Sequence, residues 1–412
     1  MIEYKSKIVS NGLEVVVNRD QASKMAAVNL LYRVGSKHES PERTGFAHLF
    51  EHLMFRGTER VPDFDAPVQA ACGENNAYTT ADYTNFYITL PRENIATALY
   101  LEADRMTGLN ISPEALAAEK SVVVEEFNQR YLNQPYGDQW MLLRGEAYQK
   151  SHYRWATIGL SPDHIRAASL DEVRAFYDRF YQPSNAILSL SADIPEDEMV
   201  AMAEEWFGDI PSTPAPLFVP EAEPVQSAPR RLEVERAVPA DQITIAIRME
   251  HRNSRCHYLC DLLTDLMAGG ESARFYQRLV KEQQIFSSTN AYITGEVDGG
   301  LFIAIGQLNP GVTVEEAEAA VWRELLLFAT EPVGEKELEK VRNKFEANIL
   351  FGELNVMNKA MNLSYYAMLG DMSLLNGEVA IYNSITPEEI MDFSQKFFRH
   401  DQSTTLVIRS KQ

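Results

Sequence analysis

A chain of 412 residues, 45% hydrophobic and 24% charged, carries more apolar material than one ordinary core takes up and points to two or more soluble domains. Its formal net charge of −21 opposes binding to nucleic acid or to an anionic membrane, since both need a basic footprint. Three cysteines are no disulfide framework, no apolar run reaches spanning length, and the first residues lack a secretory core, so a cytoplasmic, soluble protein is expected.

Along the chain, 13–17 and 26–34 read as strands and 44–55 as a helix. Residues 76–90 alternate like a strand, and long helical patterns follow at 93–106 and 113–132. Prolines at 211, 214, 216, 220, 224 and 229 then forbid a helix and mark an interdomain linker. Beyond it the pattern repeats, with a strand at 243–249, a helix at 256–283, strands within 285–307 and helices at 314–329 and 335–369. Cys256 and Cys260 fall in this part at helical spacing, ahead of Leu262, Leu263 and Leu266, and read as one buried stripe.

The two halves echo each other. Ser169-Leu-Asp-Glu172 and Thr386-Pro-Glu-Glu389 both have the form of a capping box, and Phe176 and Tyr181 find counterparts in Phe393 and Phe398 at the same offset of 217 residues (386 − 169, 393 − 176, 398 − 181). Ala77-Tyr78-x-Thr80 is matched by Ala291-Tyr292-x-Thr294. An internal duplication follows. The expected division is an N-terminal domain 1–210, a linker 211–230 and a homologous C-terminal domain 231–412. The fold class is α+β, two duplicated α/β sandwich domains with each sheet covered by helices on one face.

The chemistry is concentrated in Thr44-Gly-Phe-Ala-His48-Leu-Phe-Glu51-His52-Leu-Met-Phe-Arg56. On a helix, positions i, i+3 and i+4 share a face, so His48, Glu51 and His52 point the same way. Two imidazoles one turn apart suit a single zinc ion, and the glutamate between them is placed as a base. The string His-x-x-Glu-His is the inverse of the thermolysin-type order. Phe46, Ala47, Leu49, Phe50, Leu53 and Met54 surround the polar trio, and a helix apolar on most sides is buried. Buried His and Glu need partners, which argues against a chance string. A catalytic zinc usually takes a third protein ligand. The helix opening at Ser112-Pro113 offers Glu114, Glu119, Glu125 and Glu126, of which Glu119 and Glu126 lie two turns apart on one face.

These residues resemble the pitrilysin family of zinc peptidases. The resemblance runs through Gly35-Ser36-x-x-Glu39, Thr44-Gly45-x-Ala47-His48-x-x-Glu51-His52-x-x-Phe55-x-Gly57-Thr58, Asn76-Ala77-Tyr78-Thr79, Thr84-Asn85-Phe86-Tyr87 and Glu119-x-x-Val122-Val123-x-Glu125-Glu126. It continues in Gly269-Gly270-x-Ser272-x-Arg274 and Gly300-Leu301-Phe302. It implies one zinc per chain on His48, His52 and Glu126, Glu51 as general base, and Glu119 as a carboxylate that orients ligands without touching the metal. Asn76, Ala77 and Tyr78 would form an edge strand that takes an extended peptide. The implied function is a zinc endopeptidase that hydrolyses short or unfolded peptides in a closed chamber; the alternative is a non-catalytic assembly subunit.

Family members close as clamshells of two bowls, and this chain supplies one bowl, so a second subunit is expected. Complete sites draw an arginine, seven residues before a tyrosine, from a C-terminal half. Aligning on Lys281-Glu282-Gln283 puts Leu279 and Phe286 there, and neither can donate a hydrogen bond. Arg278 and Tyr276 lie nearby but out of register. The departure favours a heterodimer with a metal-free relative over a homodimer.

Overall fold

The computed structural model describes residues 1–411, which form two sheets. The first contains β1 (Lys5–Ile8), β2 (Glu14–Arg19), β3 (Met25–Tyr32), β4 (Glu74–Thr79), β5 (Thr84–Pro91) and β6 (Ala186–Ala192), in the spatial order β1-β2-β6-β3-β5-β4. The second contains β7 (Arg230–Arg236), β8 (Gln242–Arg248), β9 (Phe286–Ile293), β10 (Leu301–Leu308) and β11 (Ser403–Ser410), in the order β7-β11-β8-β10-β9. Without β1 the two orders coincide strand for strand, and β2–β6 and β7–β11 are the parallel pairs in otherwise antiparallel sheets. The helices Leu170–Phe180 and Pro387–Phe397 keep the offset of 217 at both ends (387 − 170, 397 − 180). The duplication read from sequence is thus carried by the whole topology.

Both strand faces are covered, which is why β3 is buried from Ala26 to Tyr32. Val28, Leu30 and Tyr32 face inward, where Tyr32 meets Tyr181 at 4.9 Å between ring centres and Tyr181 meets Phe50 at 5.1 Å. The opposite face, with Ala27 and Asn29, lies under the helix Val356–Met368. In the second sheet Ile243, Ile245 and Ile247 join the main core. The other face, with Thr244, Ile305 and Leu406, lies under Trp140 and Leu143 of the helix Gln139–Ala147.

This arrangement corrects two expectations. Each sheet has a helix on its second face as well, and that helix comes from the other half of the chain. One compact unit comprises residues 1–127, 155–220 and 349–377; the other comprises 128–154, 221–348 and 378–412. The units are therefore not the contiguous stretches 1–210 and 231–412. The physical reason is burial: β3 and β8 are apolar enough on both sides that neither half covers its own sheet alone. The proline-bearing stretch between Phe207 and Arg230 has neither helix nor strand, as expected.

Three element boundaries also differ. Residues 76–90 are not one strand but the hairpin β4–β5, turned where the Thr80 hydroxyl accepts the Asp82 and Tyr83 amides at 3.1 and 3.0 Å. The 256–283 run breaks at Gly269-Gly270, the latter at φ +111°, a left-handed value open to glycine. The 335–369 run is two helices, Glu335–Gly352 and Val356–Met368, the second capped by Asn355, whose side chain accepts the Met357 amide at 2.8 Å.

Candidate metal centre

The helix Phe46–Leu53 carries His48, Glu51 and His52 and is seated by its apolar faces: Phe46 and Phe50 meet Phe176 at 5.8 and 5.3 Å, and Leu49 and Leu53 are fully buried. It starts at Gly45, held at φ +92°, where a Cβ would lie 2.6 Å from the Ile158 carbonyl oxygen, so only glycine fits. The second carrier is the helix Pro113–Phe127, opened by Ser112, whose hydroxyl accepts the Ala115 amide at 3.1 Å. Glu119 and Glu126 turn toward the first helix, while Glu114 and Glu125 are exposed.

His48, His52 and Glu126 offer ligand atoms that all lie within 4.8 Å of one another. Glu126 Oε2 is 3.6 Å from His48 Nε2 and 3.4 Å from His52 Nε2. His52 Nδ1 faces Glu119 Oε2 at 3.4 Å, and the other Glu119 oxygen accepts from Arg56 Nε. Glu51 lies on the same stripe and accepts from the Thr79 hydroxyl on β4 at 2.6 Å. Among the described residues this is the one such group of three or more metal-ligating side chains.

The electrostatics suit a cation. Burial presses the His52 pKa down, but the bonds and charges of Glu119 and Glu126 outweigh it and push it up to about 9. Burial presses the Glu119 carboxyl up, and His52 and Arg56 bring it below the usual carboxylate range. Burial raises Glu51, against the lowering pull of the Thr79 hydroxyl and of His52. Two imidazoles and a carboxylate around a point that favours positive charge are a donor set that fits zinc.

Asn76, Ala77 and Tyr78 lie on β4, which is the edge of its sheet and pairs with β5 alone. Ala77 is buried, and its amide donates to the exposed Asn76 side chain at 2.8 Å. Tyr78 stands edge-on to Tyr83 at 5.8 Å. Strand alternation puts Ala77 and Thr79 on one face and Asn76 and Tyr78 on the other. Because Thr79 reaches Glu51, the Asn76 and Tyr78 side chains point away from it. Sequence reasoning missed Thr79 and Arg56 at the centre. Arg56 follows His52 by four residues, a helical spacing that was legible, whereas Thr79 needed the hairpin. In the second unit Leu279 and Phe286 are both core residues, and Arg278 pairs with Glu324 at 3.0 Å.

A reversed His-x-x-Glu-His helix, joined to a downstream glutamate in a duplicated sheet fold, defines a class of metallopeptidase-type proteins. The model for insulinase (peptidase family M16) matches residues 14–154, and the model for the peptidase M16 inactive domain matches 167–345. The chain belongs to peptidase family M16, the pitrilysin family. It is 25% identical over 416 aligned residues to the zinc protease PqqE of Helicobacter pylori, covering 99% of this chain and 93% of that protein. A crystal structure of a protease from Helicobacter pylori shares the fold at a TM-score of 0.94 and 24% identity, covering 99% of this chain and all (100%) of that one. The periplasmic protease PqqL from Escherichia coli superposes at a TM-score of 0.80 and 17% identity, with 99% of this chain matching 48% of that one. No helix among the described residues is long and apolar enough to cross a membrane.

Proposed function

We propose that this chain is the metal-bearing subunit of a zinc endopeptidase acting on short or unfolded peptides. The observation that carries the reading is the convergence of His48, His52 and Glu126 beside Glu51. His48, His52 and Glu126 hold the zinc, which when bound supplies Lewis acidity toward the scissile carbonyl and acidifies water. Glu51 takes the proton of the attacking water and returns it to the leaving amine. Its burial favours that work, because a carboxylate raised toward neutrality is the better base. Glu119 holds His52 through Nδ1 and so leaves Nε2 facing the ion, with Arg56 steadying Glu119 in turn.

The peptide lies extended along the free edge of β4 and is recognised by its main chain, which tolerates varied side chains. A second subunit closes the chamber. Support for this comes from PqqL, of which the chain matches about half, and from Leu279 and Phe286, which offer no donors for the developing oxyanion. A metal-free relative that brings an arginine and a tyrosine is the partner favoured.

The test is zinc content and cleavage of a quenched-fluorescence peptide by wild type and Glu51→Gln. The variant keeps one zinc per chain and loses about 10²–10⁴-fold in rate. Full activity in Glu51→Gln, or no zinc taken up by the wild type in equilibrium dialysis, overturns the reading.

A further inference from the structure

The metal-bearing helix begins without a cap of its own. A helix N-terminus leaves several amides without partners, and Gly45 at the N-cap has no side chain to meet them. Glu39, six residues upstream, does so from outside the helix. Its Oε2 accepts the Gly45 amide at 2.8 Å and its Oε1 the Ala47 amide at 2.9 Å. Glu39 is 3% exposed, and the Trp155 indole N–H donates to the Ser36 carbonyl at 2.9 Å. Burial pushes the Glu39 carboxyl up to about 8 against the lowering pull of the amide bonds, and both of its oxygens face the positive end of the helix.

The amides it clamps lie one and three residues before His48. Phe46 and Phe50 seat the helix against Phe176, and Glu39 adds the side-chain bonds to the Gly45 and Ala47 amides at its start. Thr44 secures only the loop before it, accepting the Leu160 amide at 2.8 Å and meeting His164 Nδ1 at 2.8 Å.

We propose that Glu39 is a positioning residue for the metal centre, which sets the aim of His48 and His52 toward Glu126 by clamping the first turn of their helix. The inference rests on the zinc reading above. It assigns to Glu39 a share of metal affinity, although it lies outside the ligand set.

Glu39→Gln replaces one acceptor with a donor and strands one amide; Glu39→Ala strands both. Zinc affinity is read by competition with a chromogenic chelator, and stability separately by urea unfolding of the zinc-free protein. Zinc Kd rises about 10-fold in Glu39→Gln and approaches about 100-fold in Glu39→Ala, the range typical of residues that support ligands from behind. A Glu39→Gln protein with native circular dichroism and a lowered urea midpoint, yet wild-type zinc Kd, reduces Glu39 to a stability cap and overturns the proposal. Should Glu39→Ala not fold, the Gln variant decides. A wild type that binds no zinc sinks the zinc reading and this inference together, whereas unchanged Kd in the variants sinks this one alone.

Discussion

His52 and His257 sit in opposite surroundings. His52 lies between two carboxylates and is pushed up to about 9; His257 is pushed down to about 3, first by burial and then by the Arg252 guanidinium. His257 is therefore neutral in the folded protein at every pH near neutrality. The unfolded chain, with an ordinary histidine pKa of 6.5, takes the proton first as pH falls. The stability this group contributes is fully present above about 6.5 and is lost progressively toward about 3. Asp261, pushed up to about 6 by burial, acts in the opposite sense over part of that window, so a difference measurement is needed. The urea midpoint of zinc-free protein falls more steeply between pH 7 and pH 4 in wild type than in His257→Gln; parallel slopes would mean that His257 is charged in the fold. At this scale the sequence was most informative where spacing does the work, as in His48, Glu51 and His52 on one helix. It said less where the partner is distant: spacing put Glu119 and Glu126 on one face and the resemblance singled out Glu126, but only the packing brings both to the histidines and leaves Glu114 and Glu125 exposed.

The helix Val356–Met368 shows what spacing leaves out. Its small residues Ala360 and Ser364 let it settle on β3 and β6, where Asn29 sits at the centre of a buried polar group. Asn29 donates to Ser364 Oγ at 2.8 Å and to Ser189 Oγ at 3.2 Å, and accepts from Asn85 at 2.7 Å. Ser189 in turn donates to the Ala360 carbonyl at 2.6 Å. A buried polar network of this kind favours one seating of a helix on a sheet, because a slip buries further unpaired polar atoms beside Asn85 Oδ1, which accepts no bond here. Asn29→Ala leaves Asn85 without its acceptor and removes the serines' donor, so stability falls by about 1–3 kcal/mol in urea unfolding. A loss below about 0.5 kcal/mol, the scale of ordinary surface changes, would show that water fills the gap at no cost. The helical period at 335–369 was legible, but neither the break before Asn355 nor the sheet the second helix covers could be read from it. Periodicity names the buried face of a helix and not what buries it.

At the scale of the molecule, each compact unit takes in a segment from the other half of the chain. If the halves were independent domains joined by a proline-rich link, a chain ending at Pro220 would fold alone. The first unit, however, includes residues 349–377, which lie on the outer face of its sheet and bring Lys359 to Asp20 at 2.8 Å in a largely buried pair. Without that segment Ala27 and Leu31 meet water, and Asn29 and Ser189 lose Ser364 and the Ala360 carbonyl. The fragment 1–220 is therefore expected to aggregate, or to bind a hydrophobic dye and unfold without cooperativity. Co-expression with 221–412 as a separate chain supplies each unit with its missing segment and recovers a soluble complex with cooperative unfolding. The comparison separates covalent continuity from packing, because both samples lack the peptide bond at 220 and only one lacks the covering helix. A monomeric 1–220 fragment with a sharp urea transition would mean that the exchanged helix adds little, and that burial on the far face of β3 does not hold the first unit together.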